Sequence, residues 1–127
     1  MSRLRSPLSI AKGHGSARDG THHFWVQRLS AVALIPLVIW FCLAIAFMPS
    51  ATHAEVLAWF ASPFNAVMMI LVIIASFYHL VLGLQVIIED YVSSKGTRML
   101  SIVVMKLGCM FFAALGVFSV IKLAVWS

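Results

Sequence analysis

Polar residues are bunched along this chain, and three long apolar runs lie between the bunches. The runs occupy residues 29–48, 64–88 and 99–125. A helix rises about 1.5 Å per residue, so some twenty apolar residues cross the ~30 Å hydrocarbon core of a bilayer. The pattern predicts an all-α membrane protein with three transmembrane helices. The first run carries no charge, and the third holds Lys106 and Lys122 near its two ends. Pro36 lies inside the first run and predicts a local kink, and Pro49 ends that run. Pro63 precedes the second run, where a helix tolerates a residue without an N–H. The connection Ser50–Pro63 is short, and Thr52 to Phe60 can form two helical turns in the membrane interface. A second short loop covers Glu89 to Arg98. No internal repeat is visible.

Ahead of the first run the character changes. Residues 1–23 form a polar, basic segment, and 24–127 form the membrane domain. Met1 to Thr21 reads as extended chain, ordered against a partner. His22-His23-Phe24-Trp25-Val26-Gln27-Arg28 then enters the membrane. Phe24 and Trp25 suit the aromatic belt, and Arg28 can snorkel toward water. Composition agrees: 62% of residues are hydrophobic and 10% charged. A soluble domain carries roughly 25% charged residues, so an ordinary aqueous surface is excluded.

The net charge of +5 reflects topology rather than nucleic-acid binding. Arg3, Arg5, Lys12, Arg18 and Arg28 precede the first run, Lys95 and Arg98 lie in the second loop, and the first loop has neither residue type. By the positive-inside rule the N-terminus is cytoplasmic and the C-terminus lies on the far side. The second helix then runs inward and delivers Asp90-Tyr91 to the cytoplasmic surface. The polar start differs from a cleaved secretory signal. Asp19 and the histidine run favour a retained cytoplasmic segment over a mitochondrial presequence. Cys42 and Cys109 sit in separate apolar runs without metal or covalent-haem spacing, and read as packing residues.

The chemistry concentrates in the second run. His79 lies nine residues before Ile88, ~13 Å into the hydrocarbon. An imidazole there needs a polar partner or a metal. Two readings stay open: a hydrogen bond between helices, to a serine or a backbone carbonyl, or axial ligation of a b-type haem. Ser76, His79, Gly83, Ile87 and Asp90 share one helical face. Gly83 removes a side chain where a flat macrocycle could approach, although glycine also serves helix packing. Electron-transfer haem takes two axial ligands, and no second histidine lies at this depth. Met68, Met69, Met105 and Met110 are candidates but poorly placed or ordinary for apolar spans, so a second ligand is expected from another chain, and three helices leave a porphyrin incompletely enclosed.

Asp90 and Tyr91 read either as an interfacial helix end or as polar groups for a quinone, whose carbonyls accept hydrogen bonds. Arg28 is a topology determinant, or else a partner for a haem propionate or for the Asp90 region. Lys106 reads as a snorkelling residue. Gly108 and Gly116 suggest close helix contacts.

These residues resemble a known family. His-His-x-Trp-x-Gln-Arg entering the first span, and His79 followed eleven residues later by Asp90-Tyr91, are similar to the hydrophobic membrane anchor (D) subunit of bacterial succinate dehydrogenase, respiratory complex II, in its alphaproteobacterial form. The resemblance implies a subunit that is not catalytic alone within a succinate:quinone oxidoreductase of the tricarboxylic acid cycle. It implies a helical bundle completed by a partner cytochrome b subunit, with one haem b shared between them and His79 as one ligand to its iron. It implies a flavoprotein and an iron–sulfur subunit on the cytoplasmic face of the bacterial inner membrane. Electrons from succinate would reach ubiquinone near that face, with Tyr91 on a quinone carbonyl, Asp90 beside it, and Arg28 near the propionates or the quinone. A higher oligomer of the complex is compatible with this. A fumarate reductase anchor, another haem b quinone oxidoreductase and a cofactor-free structural anchor are the alternatives. The chain has no inverted repeat or broken helix pair to suggest a transporter.

Overall fold

A computed structural model describes residues 16–126. Four helices follow in order: α1 (Ser16–Ala46), α2 (His53–Ala61), α3 (Pro63–Tyr91) and α4 (Lys95–Trp126). Among the described residues α1, α3 and α4 are the helices long and apolar enough to cross a membrane. Their 31, 29 and 32 residues correspond to about 44–48 Å of rise, so each outruns a ~30 Å core and ends among head groups.

The helix ends follow local chemistry. Helix α1 begins at Ser16, so residues 16–21, read from sequence as extended, are helical, while residues 1–15 of that stretch lie outside the described residues. The helix continues through Pro36 and stops at Ala46. That is two residues short of the expected end, because Pro49 disfavours helical geometry in the residue before it. Ala51 then takes a positive φ of 50° and turns the chain. Thr52 caps α2, its Oγ1 accepting from the Glu55 N–H at 3.3 Å. The Glu55 carboxylate reaches back to accept from the Ser50 hydroxyl at 2.6 Å and the Ser50 N–H at 3.2 Å. Those bonds, the hydroxyl's first, hold the Glu55 carboxyl below its ordinary pKa.

Ser62 alone separates α2 from α3, serving as C-cap of one and N-cap of the other, with Pro63 in the first turn as expected. Between α3 and α4 the loop is shorter than expected, because α4 starts at Lys95. Arg98 ties this loop down. Its Nε–H donates to the Val92 carbonyl at 2.9 Å, and its backbone N–H to the Ser94 carbonyl at 2.8 Å.

Helix α3 is the centre of the fold. It packs on α1 along one side and on α4 along the other, and among the described residues the backbones of α1 and α4 do not approach each other. Short α2 closes one end against α3 and α4. Trp40 of α1 stacks on Trp59 of α2 with ring centres 5.7 Å apart, and meets Phe64 of α3 edge-on. Gly116 of α4 gives a close approach to α3, for a Cβ there would lie 3.4 Å from the Ile73 side chain. Gly108 does not: a Cβ there meets nothing within 4 Å, against the sequence expectation.

The helices form an open row rather than a closed bundle. The buried apolar residues among those described are Ala66, Leu82 and Val120. Large apolar side chains face outward throughout, which lipid tolerates because its tails are as apolar as leucine.

Candidate functional site

Antiparallel packing sets the start of α1 beside the end of α3. There His22, His23 and Val26 of α1 and Tyr78, Leu82, Gln85 and Glu89 of α3 line a cleft of about 480 Å³. Gln85 donates to Glu89 at 3.0 Å, one turn along the same helix. The His23 Nε2 atom is buried and has no hydrogen-bond partner among the described residues. Deeper along the α1–α3 seam lies an apolar groove of about 560 Å³, whose lining includes Ser30, Ala33, Leu71, Ile74 and Tyr78.

His79 and Gly83 line neither of these spaces. His79 is half-buried in the α1–α3 contact, where its Nδ1 lies 2.9 Å from Ser30 Oγ. Ser30 is the buried polar residue among those described, with 8% of its surface exposed. Its hydroxyl also donates to the Gln27 carbonyl one turn earlier, at 2.8 Å. The hydrogen bond between helices anticipated for His79 therefore exists, and it uses one ring nitrogen. His79 has no other hydrogen bond among the described residues. One turn on, a Cβ at Gly83 would meet nothing within 4 Å. Among the described residues the absent side chain serves no helix contact, and it leaves open space on the face that carries His79. A half-buried imidazole with one nitrogen to spare, beside an open glycine face, suits a flat ligand such as a porphyrin.

The other candidates stand apart from this pair. Asp90 and Tyr91 lie at the C-terminal end of α3, both exposed, Tyr91 at 83%. By helical rise they are ~17 Å from His79 along α3. Arg28 is exposed and rests on its own helix, its guanidinium carbon 4.7 Å from the centre of the Phe24 ring. Lys106 lines a small groove of about 280 Å³ between α3 and α4, with Cys109 and Met110. Cys42 and Cys109 are both free thiols.

Ser30, Tyr78 and Glu89 were not legible as site residues. A serine in an apolar run gives no signal of its partner, which lies 49 positions away. The doubled histidine at 22–23 was the visible sign of the cleft, but its lining residues on α3 were not.

Known proteins resemble the chain over most of its length. It is 36% identical over 101 residues to the succinate dehydrogenase hydrophobic membrane anchor subunit of Paracoccus denitrificans, covering 80% of this chain and 78% of that one. It is 34% identical over 105 residues to the subunit of the same name from Rickettsia bellii (strain RML369-C), covering 82% and 83%. A more distant relative, the succinate dehydrogenase membrane anchor subunit of Reclinomonas americana, is 28% identical over 88 residues, covering 67% and 73%. The family described as succinate dehydrogenase/fumarate reductase transmembrane subunit matches residues 2–117. Three long apolar helices and a match across nearly the whole sequence lead to one assignment: this multi-pass membrane protein belongs to the succinate dehydrogenase/fumarate reductase transmembrane subunit family.

Proposed function

We propose that the chain is a membrane anchor of succinate dehydrogenase that holds one side of a haem b and borders a ubiquinone-reduction site. His79 would hold the haem iron from this chain, and a partner cytochrome b subunit would supply a second ligand. Asp90 and Tyr91 border the quinone site, with the N-terminus, the flavoprotein and the iron–sulfur subunit on the cytoplasmic side of the bacterial inner membrane. The observation that carries this reading is the α3 face itself. His79 spends Nδ1 on Ser30, and Gly83 one turn away faces open space. The open helix row supports the need for a partner, since α1 and α4 leave α3 uncovered between them.

Bound haem would supply one-electron chemistry between the iron–sulfur subunit and the quinone. The residues of this chain would do the rest. His79 would offer its second ring nitrogen to the iron. Gly83 lets the macrocycle approach α3. Tyr91, exposed at the helix end, donates its hydroxyl to a quinone carbonyl. Arg28 offers a cation on the α1 side, toward the propionates or the quinone.

A cofactor-free anchor is the second reading, favoured by the Ser30–His79 bond taken alone. One experiment separates the two. The His79→Ala complex, co-expressed with its partners, should lose or alter its haem absorption bands, while Tyr91→Phe should slow quinone reduction and spare succinate oxidation by a soluble acceptor. An unchanged haem spectrum in His79→Ala would remove the ligand assignment. Equal loss of both activities in Tyr91→Phe would remove the quinone role.

A further inference from the structure

We infer that Ser30 of α1 is a positioning residue for His79, fixing which imidazole nitrogen faces outward and setting the donor strength of that nitrogen. The inference rests on the reading of His79 as a metal ligand, and it follows from counting protons.

The Gln27 carbonyl has no proton, so the 2.8 Å bond requires the Ser30 hydroxyl to donate to it. A hydroxyl has one proton. Ser30 Oγ can then only accept at its second contact, 2.9 Å away at His79 Nδ1. Nδ1 must carry the hydrogen. An imidazole with its proton on Nδ1 has its lone pair on Nε2, the form that ligates a metal through Nε2. The chain Gln27 carbonyl, Ser30 hydroxyl, His79 ring thus selects the ligating tautomer before any metal arrives. Ser30 is 8% exposed, so water does not compete readily for its oxygen.

Two consequences follow. The ring is held from α1 while its backbone belongs to α3, so the imidazole plane is fixed by the packing of two helices. An acceptor at Nδ1–H also raises the basicity of Nε2. A more basic ligand favours the ferric over the ferrous state and lowers the midpoint potential. Ser30 therefore acts on both retention and potential without touching the metal.

Threonine and valine provide the test, since they match in shape and differ by one hydroxyl. In the purified complex, Ser30→Thr should keep the native low-spin ferric resonance signal, haem content and potential. Ser30→Val should shift the signal, raise the potential and release haem more readily, by roughly ten-fold as other outer-shell losses do. Ser30→Ala should behave as valine does. Identical spectra and potentials in the threonine and valine complexes would overturn the role of Ser30. Were His79→Ala to retain the native haem spectrum, the ligand reading itself would fail, and that failure is distinct because it leaves the Ser30 variants with nothing to shift. If valine and alanine lower haem content while the resonance signal and potential of the remaining haem stay native, Ser30 is a packing residue only.

Discussion

Gly83 offers a discriminating perturbation. Within this chain a Cβ at Gly83 meets nothing within 4 Å. Gly83→Ala should therefore not strain the fold, and should strengthen α3 by up to about 1 kcal/mol, the helix-propensity difference between the two residues. Gly83→Leu likewise starts from a Cβ that meets nothing within 4 Å among the described residues. The outcome changes if that space receives a macrocycle in the complex. Carbon atoms pack at about 3.5–4.0 Å, so a leucine there would force ring and helix apart. Overpacking of this kind costs about 1–3 kcal/mol. At 1.4 kcal/mol per tenfold, haem retention falls roughly 5- to 150-fold. The assay is the haem-to-protein ratio of purified complex, beside the amount of each subunit in the membrane. Leucine should deplete haem while the subunits still accumulate. A full haem complement in Gly83→Leu would refute the idea that this face is a haem face. Loss of the anchor itself in Gly83→Ala would show that the glycine serves packing instead.

Two further outcomes concern the scaffold. Gly116→Ala should be tolerated, since its Cβ would touch Ile73 at an ordinary 3.4 Å, whereas Gly116→Leu should destabilise the α3–α4 contact by about 1–3 kcal/mol. Thermal unfolding in detergent reads the difference, and equal stability of the two variants would contradict the close approach. At the α2 corner, Ser50 holds the exposed Glu55 carboxyl below its ordinary pKa. A lowered folded value means that the stabilisation is present above the unfolded pKa and is lost as pH falls through the folded one. Protection of the α2 amides relative to their intrinsic exchange rates should therefore fall in that acid window, and Glu55→Gln should remove this fall. A glutamine variant with the wild-type pH profile would rule out the Ser50–Glu55 contact as its source.

Much of the architecture could be read from the residues. Helices α3 and α4 contain their apolar runs, α1 holds all but the last two residues of its own, and Pro49 and Pro63 mark real boundaries. The errors were local. Helix α1 extends back into a polar stretch, and α4 starts four residues before its apolar run, because head-group depth tolerates helix that the hydrocarbon pattern cannot reveal. His79 stood out because a titratable group in an apolar run is costly wherever it points. Tyr91 and Asp90 kept their place at the end of α3, and their exposure leaves room for a quinone or for another subunit.

Gly83, Gly108 and Gly116 mark the boundary of such reading. All three are glycines in apolar helices, and sequence gives them one meaning. Folded, Gly116 meets Ile73 while the other two face open space. Ser30 is likewise one small polar residue among apolar ones until α1 lies against α3 and brings its oxygen to His79. The reason is the range of the forces. A bilayer imposes length, apolarity and charge asymmetry on each segment separately, so those are written locally. Contacts between helices depend on the rotation and depth at which two surfaces meet, and that is fixed by side chains far apart in the chain. The Ser76–Asp90 stripe belongs to the first kind of information. The serine that holds its histidine, and the open space beside its glycine, belong to the second.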